Sequence, residues 1–444
     1  MVWETTLSRK YAAYPEYKES GVEWLGEVPI NWDIKKLKYI CKVQTGTKNT
    51  ENAIEEGVYP FFVRSQTVER INSFGADCEA VLTAGDGVGV GRVFHYIEGK
   101  FDYHQRVYML NNFGAVLGRF VYYYLSNNFY KVALEGNAKS TVDSLRLPQF
   151  LNFEFSLPKI EVQNRIIDFL DHETAKIDTL IDKQQQLITL LKEKRQAVIS
   201  HAVTKGLKPN APMRDSGVEW LGEVPAHWDV RAVSKLSQKI TNGYVGPTRD
   251  ILVPDGVPYV QATHIKKGKV NFDDAYFVRL PWSDAHAKSI LVKGDVLIVQ
   301  TGAGTGDIGL VTENEEGFNC HALIIVQPIK NVISGDYLSM AFQSQYGYSV
   351  LYSIRTGGMH PHLNCGEVQF VKIPVPPIEE QGQIIEHIIQ QLHKFDTLVD
   401  RQLLAIELMK ERRTALISAA VTGKIDVRNW QEPALTNNNK EVAP

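Results

Sequence analysis

Residues 157–206, LPKIEVQNRIIDFLDHETAKIDTLIDKQQQLITLLKEKRQAVISHAVTKG, return at 375–424 as VPPIEEQGQIIEHIIQQLHKFDTLVDRQLLAIELMKERRTALISAAVTGK. Identities at Pro158/Pro376, Glu161/Glu379, Gln163/Gln381, Asp178/Asp396, Asp182/Asp400 and Val203/Val421 fix the alignment without gaps. Both copies read as helices: each opens beside a proline, is almost free of Gly and Pro inside, and spaces its apolar residues at alternating threes and fours. Ile166, Leu170, Ile177, Leu180, Leu187, Leu191 and Val198 keep a seven-residue rhythm, which Ile384, Ile388, Phe395, Leu398, Met409 and Leu416 repeat. So narrow a stripe calls for a partner helix, and rods of this length run to roughly 65 Å. Two rods of equal length and register predict an antiparallel coiled coil with pseudo-twofold symmetry; the competing arrangement lays each stripe on its own globular neighbour. Gln184 and Gln402 break the stripe at equivalent central positions. Either they face each other and fix the register at some cost in stability, or they are two solvated glutamines at the edge of the seam.

A shorter repeat precedes each rod. SGVEWLGEVPINWD at 20–33 comes back as SGVEWLGEVPAHWD at 216–229, so the chain reads as short block, variable region, long block, twice. The boundaries this predicts are 1–156 for the first short block and variable domain, 157–206 for the first helix, 207–374 for the second block and domain, 375–425 for the second helix, and 426–444 for a tail.

The variable regions share an order of landmarks rather than identity. Thr45-Gly46 parallels Asn242-Gly243, YPFFVRSQ from Tyr59 parallels VPYVQATH from Val257, and Gly85-Asp86 parallels Gly294-Asp295 with a Gly-rich turn after each. Short runs such as AVLTAGD, RVYML, DVLIVQ and ALIIV, bounded by Gly, Asn and Asp, read as strands. The fold class predicted is α+β: two α/β or β-rich globules on one scaffold, joined and separated by two long helices.

A length of 444 residues suits two or three domains, and 44% hydrophobic with 22% charged residues is ordinary globular composition. No run approaches the ~18 apolar residues of a membrane span, the N-terminus lacks the apolar core of a signal peptide, and a cytoplasmic location is expected. Cys41, Cys78, Cys320 and Cys365 are scattered without a CxxC pair, which suits a reducing compartment and argues against disulfides or a structural zinc site. The net charge is −3, and the variable regions 33–157 and 229–375 carry fourteen basic against thirteen acidic and thirteen against thirteen residues. Any positive surface for a polyanion is therefore local, or shared with another subunit.

Two features imitate an enzyme. Gly302-Ala303-Gly304-Thr305-Gly306 follows the strand-like DVLIVQ, and Gly87-Val88-Gly89-Val90-Gly91 holds the like place in the first region, but both run into strand-like sequence where a cofactor loop needs a helix N-terminus. His360-Pro361-His362 with Cys320-His321 makes a poor metal set, because two histidines one residue apart share a face only on a regular strand and the proline spoils it. Asp273-Asp274 has no partner base and reads as a turn. No phosphate loop occurs and no [DN]PP[YF] run of the amino-methyltransferase kind, so neither a catalytic residue nor a metal ligand is assigned.

Two variable domains separated by repeated helices, with SGVEWLGEVPxxWD twice, PKIEVQ and PPIEEQ at the helix starts, and GKFDYHQRVYML in the first region, resemble the specificity subunit of type I restriction-modification systems. The resemblance covers nearly the whole chain. It implies a non-catalytic subunit in which each variable region is a target recognition domain reading half of a split double-stranded DNA sequence. The repeated helices would pair as a spacer and bind two methyltransferase subunits, with restriction/translocase subunits joining through that core. No cofactor is expected in this chain; S-adenosylmethionine, ATP and Mg would belong to the partners. Unlike readers imply an asymmetric target, with half-sites near one DNA turn, ~34 Å, apart.

Loop residues that follow strands and offer donors or forked side chains are the candidate DNA contacts. In the first region they are Arg64, Gln66, His104, Gln105, Arg106, Lys139, Ser140 and Thr141; in the second, Gln261, Thr263, His264, Lys266, Lys267, Thr301, Arg355 and Thr356. Each of them competes with a solvated or internally bonded role, and Arg106 has Asp102 as a possible buried partner. Two alternatives stand beside this function. A DNA methyltransferase fused to a helical spacer would need its own cofactor site, and a coiled-coil adaptor would need no base-reading loops.

Overall fold

The structure, a computed structural model, describes residues 10–133, 145–273, 276–358 and 361–433. The chain divides into two compact units, residues 1–184 with 403–444, and residues 185–402.

In the first unit the short repeat forms a hairpin, with Tyr17–Glu19 antiparallel to Glu27–Pro29. Ser20 N–H donates to Gly26 O at 3.0 Å, and Gly21 and Gly26 both take positive φ (+73° and +65°), a turn that side chains on those residues would strain. The main sheet contains β1 (Lys42–Thr45), β3 (Ala80–Ala84), β4 (Phe94–Ile97) and β6 (Val107–Asn111) in the order β1-β6-β3-β4. A second sheet pairs β2 (Tyr59–Phe62) in parallel with β5 (Lys100–Tyr103). Helix α1 (Gly118–Asn128) covers the main sheet, and its Phe120, Tyr124 and Leu125 share one core with Phe150, Phe153 and Phe155.

A long helix, α2 (Ile160–Lys205), begins in this unit and ends in the other. Its opening motif has a structural explanation. Gln163 is fully buried; its Oε1 accepts from Leu117 N–H at 2.9 Å and its Nε2 donates to Pro158 O at 2.9 Å, tying the helix start to the segment that enters α1.

The second unit repeats the plan. Met213–Asp215 and Glu223–Pro225 form the equivalent hairpin, with Ser216 N–H donating to Gly222 O at 3.0 Å. β7 (Ser237–Asn242), β9 (Val296–Val299), β10 (Ile308–Leu310) and β12 (Leu323–Pro328) lie in the order β7-β12-β9-β10, extended by an edge hairpin of Ile265–Lys266 and Gly268–Val270. β8 (Val257–Val260) pairs in parallel with β11 (Asn319–Cys320), as β2 does with β5. Helices α3 (Gly335–Gln343) and α4 (Gln345–Ser353) stand where α1 does, and the second long helix, α5 (Ile378–Val421), starts here. Gln381 repeats the role of Gln163: it accepts from Ser334 N–H at 2.9 Å and donates to Pro376 O and Val332 O at 2.9 and 3.0 Å.

The chain ends complete the likeness. In the second unit α2 runs through Gly206 into the hairpin, and Lys205 Nζ donates to Glu223 O at 2.6 Å. In the first unit two separate segments do the same work: Lys424 Nζ, after α5, donates to Glu27 O at 2.7 Å, and Asp426 N–H to Ala12 O at 2.7 Å.

The rods pack in both ways the sequence allows. Their ends enter globular cores: Ile166, Leu170 and Ile177 of α2 meet Leu416, Ala420 and Val421 of α5 in the first unit, and Ile199 and Val203 join Ile384 and Ile388 in the second. Between the ends the seam departs from the predicted stripe. Leu180 and Leu187 are 47% and 40% exposed, whereas Ile188 and its repeat partner Ile406 are buried at 2% and 4%. Adjacent Leu-Ile pairs at 180–181 and 187–188 offered two possible seams, and the helix rotation selects the isoleucines.

The glutamine pair is also corrected. In the first unit Arg413 Nε meets Asp178 Oδ1 at 2.9 Å, so in an antiparallel pair Gln184, six residues beyond Asp178, is level with Glu407. In the second unit Arg195 meets Asp396 at 3.7 Å, and the same step places Gln402 level with Thr189. The two glutamines therefore do not face each other. Gln184 Oε1 is buried without a hydrogen-bond partner among the described residues, a cost to stability rather than a register clasp.

Candidate nucleic-acid interface

The polar loops gather where the paired sheets of each unit end. In the first unit β1 runs into Gly46, where a Cβ would lie 2.0 Å from Tyr103 O; in the second, β7 runs into Gly243, where it would lie 2.7 Å from Cys320 O. Only glycine permits these approaches, which explains the shared Thr-Gly and Asn-Gly landmark. The same contact makes Tyr103-His104 the counterpart of Cys320-His321. Two isolated bridges agree, Lys48 with His104 and Tyr244 with His321.

Three segments of the first unit converge on one carboxylate. Arg64 follows β2, Arg106 lies in the turn from β5 to β6, and Asp86 follows β3. Arg64 Nη1 donates to Asp86 Oδ1 at 2.8 Å and Arg106 Nη1 to Oδ2 at 2.7 Å. The guanidinium side chains are 41% and 58% exposed, the carboxylate 19%. Partial burial pushes the Asp86 carboxyl up, but the hydrogen bonds from Arg64 and Arg106 outweigh it and hold it below the usual carboxylate value. Arg106 is thus not held by Asp102, which is buried against Ser73 Oγ at 2.8 Å.

Gln105 and Gln66 flank this cluster. Gln105 Nε2 donates to Asn49 Oδ1 at 2.5 Å, and Gln66 Nε2 to Arg92 O at 3.1 Å. His104 faces inward: it is 5% exposed, and its Nδ1 accepts from Arg106 N–H at 3.0 Å. Burial depresses its pKa, and Arg64 and Arg106 depress it further, so a neutral imidazole shapes the turn that carries Arg106. Lys139, Ser140 and Thr141 lie outside the described residues.

In the second unit Thr301, Arg355 and Thr356 come together. Thr301 and Thr356 both form bridges to His362, Thr356 exchanges backbone hydrogen bonds with it at 2.9 and 2.8 Å, and Thr305 Oγ1 donates to Pro361 O at 3.1 Å. Arg355 donates to Thr305 O and stands over the rings of Tyr348 and Tyr352 at 5.9 and 4.9 Å. His360 and Asp274 lie outside the described residues.

Gln261 and His264 bracket a short turn in which His264 Nδ1 accepts from Gln261 N–H at 2.9 Å, and His264, like His104, is buried. Thr263 on that turn is exposed; Lys266 and Lys267 occupy the exposed edge hairpin, a different element from Arg355. The Gly302–Gly306 loop is followed by β10, a strand, and Gly87–Gly89 is a short 3₁₀ turn leading to β4.

One alignment made from sequence order needs correcting. Gly85-Asp86 follows β3, whereas Gly294-Asp295 precedes β9, so they sit at opposite ends of equivalent strands; the counterpart of Gly85-Asp86 is Gln300-Thr301, where Gln300 O accepts from Leu363 N–H as Gly85 O does from Leu145 N–H. The counterpart of the turn at Tyr103–Arg106 is Cys320-His321-Ala322. His321 Nδ1 lies 3.2 Å from Tyr259 Oη within a ring cluster of Tyr244, Tyr259 and Trp282. Asn49, Asp86, His321 and His362 stand beside the candidate loops and were not among the contacts chosen from sequence.

Comparison with known proteins decides the family. The model of the type I restriction modification DNA specificity domain matches residues 29–190 and again 225–408. The chain belongs to this family. Each of the two matches takes in one variable region and most of the long helix that follows it. The Escherichia coli type I restriction enzyme EcoDI specificity subunit is 22% identical over 440 residues, 94% of either chain. The Methanocaldococcus jannaschii MjaVIII specificity subunit is 21% identical over 438 residues, 93% of this chain and 98% of the relative. A solved chain, from work on complex assembly and conformational transition of the type I R-M system, superimposes with a TM-score of 0.65 at 14% identity, covering 89% of this chain and 98% of its own. That likeness is one of fold. Among the described residues of this type I specificity chain, no helix is long and apolar enough to cross a membrane.

Proposed function

We propose that this chain is the DNA-recognition subunit of a type I restriction-modification complex and that it reads an asymmetric target of two unlike half-sites, one with each unit. The observation that carries this is the same scaffold built twice, ending in unlike polar loops at corresponding strand ends. The first unit presents Arg64, Gln66, Gln105 and Arg106. The second presents Thr301, Arg355 and Thr356, with Thr263, Lys266 and Lys267 on neighbouring elements. His104, Gln261 and His264 support turns instead of meeting bases.

Neither unit is basic overall, so two methyltransferase partners would supply much of the phosphate neutralisation, and the isolated chain would bind DNA weakly. Exposed leucines on the rods suit those partners: Leu180, Leu187 and Leu190 on α2, and Leu398, Leu403, Leu404 and Leu408 on α5 are each 39–61% exposed. Catalysis, with S-adenosylmethionine, ATP and Mg, would reside in the methyltransferase and restriction/translocase subunits.

The test replaces residues 33–157 with the matching region of another family member, in the assembled methyltransferase. One half-site should change and the other persist. A change in both halves contradicts modular reading, and equal binding of target and scrambled DNA favours a plain adaptor.

A further inference from the structure

Asp86 is an unusual group to find at a DNA-reading surface, because a carboxylate repels phosphates. Its neighbours give it a use. Arg64 and Arg106 come from different segments, and each donates Nη1 to a different oxygen of this one carboxylate, at 2.8 and 2.7 Å. The bond spends one of the five N–H donors of each guanidinium. Among the described residues neither guanidinium makes another hydrogen bond. Asp86 itself is anchored from behind: Gly85 N–H donates to Arg106 O at 2.8 Å, and Gly85 O accepts from Leu145 N–H at 2.9 Å. The carboxylate lies deeper than the two forks it holds.

A free arginine on a loop is a mobile cation, and the highest density of negative charge it meets is the phosphate backbone. Pairing with Asp86 offsets part of that attraction and fixes the plane and direction of the fork. Guanine in the major groove rewards this restraint, since its N7 and O6 accept two parallel N–H donors from one guanidinium. Phosphate oxygens accept donors from many directions and need no such fixing.

Resting on the DNA-reading function above, we propose that Asp86 is a positioning residue for the first half-site, holding Arg64 and Arg106 as a double fork aimed at the N7/O6 edge of guanine. The first half-site accordingly contains at least one guanine contacted through that edge, and Asp86 lowers affinity for non-target DNA while raising discrimination.

The test uses the assembled methyltransferase. Asp86→Asn keeps shape and adds one net positive charge. Affinity for the target should fall about 10-fold, affinity for random DNA should hold or rise a few-fold, and the salt dependence on random DNA should steepen by up to about one. Selection at the second half-site should be untouched. A parallel loss on target and random DNA, or unchanged discrimination, overturns the proposal. Should the variant fail to fold, the unmodified protein answers the question on altered DNA. Replacing the guanines of the first half-site one at a time with 7-deazaguanine should weaken binding about 5- to 100-fold at one or two positions. Insensitivity at every guanine, or a first half-site without guanine, overturns it. If the unmodified complex selects no sequence at all, the DNA-reading function itself fails; if it selects a target and Asp86→Asn preserves that selectivity, only the role of Asp86 fails.

Discussion

Replacing Gln163 or Gln381 with alanine should loosen one unit and spare the other. Both side chains are fully buried, and each satisfies a backbone N–H of one segment and a carbonyl of another: Leu117 and Pro158 for Gln163, Ser334 and Pro376 for Gln381. Alanine strands a part-buried donor and a buried acceptor, each costing about 1–3 kcal/mol, so the loss per substitution is about 2–6 kcal/mol. Amide exchange followed by mass spectrometry localises it. A factor of ten in exchange corresponds to about 1.4 kcal/mol, so peptides spanning Leu117 should exchange roughly 30-fold faster or more in Gln163→Ala. Peptides within 185–402 should keep the exchange rates of the parent. Gln381→Ala should show the reverse, with the change at Ser334, and in the assembled methyltransferase each variant should blur one half-site only. Acceleration below about threefold, or acceleration spread evenly over both units, would refute the account of the Pro-x-Ile-Glu-x-Gln motif as a joint between rod and reader.

Other expectations follow from the same contacts. Alanine at Arg64, Arg106 or Arg355 should cost about 1–3 kcal/mol on target alone if the residue reads bases, whereas a phosphate contact such as that expected for Lys267 should weaken target and random DNA together and flatten the salt slope by about one; five parent-like variants, Lys139→Ala included, would put the reading surface on the wrong face. His95, His104 and His321 all have pKa values depressed first by burial below the ordinary 6.5. The unfolded chain then takes up protons more readily, so stability is full above about pH 7 and is lost as pH falls below the unfolded value. Thermal midpoints should drop between pH 6.5 and 5, and His104→Gln should shrink that drop; a flat profile in the parent contradicts the depressed histidine pKa values. Inserting four residues after Leu191 adds about 6 Å to α2, which should change the gap between half-sites or abolish activity, with both half-sites kept; an unchanged gap with activity would mean the rods are not the ruler.

Repetition made the scaffold legible. Two copies of one helix sequence exposed both the rods and the plan of the units, since identity at Gln163/Gln381 or Trp32/Trp228 survives only where the same packing recurs. Finer placement depended on partners distant in sequence. Nothing near Gln163 announces Leu117, and nothing in the 180–188 segment says whether leucine or isoleucine lines the seam. Gly85-Asp86 and Gly294-Asp295 look alike as letters, yet they flank opposite ends of equivalent strands. His104 and His264 have side chains suited to bases, and only the fold shows that their ring nitrogens serve the backbone. Asp86 escaped notice because its charge is wrong for DNA; its value lies in the two arginines that it holds.

The central claim is that one chain places two different readers at a fixed separation. Methylated-base mapping in a host carrying this chain with its methyltransferase partners tests it most directly. The expected result is one bipartite motif whose two unlike parts flank an unspecified gap of constant length, with one part replaced when residues 33–157 are exchanged. A continuous motif, a symmetric one, or methylation without sequence preference would contradict the account.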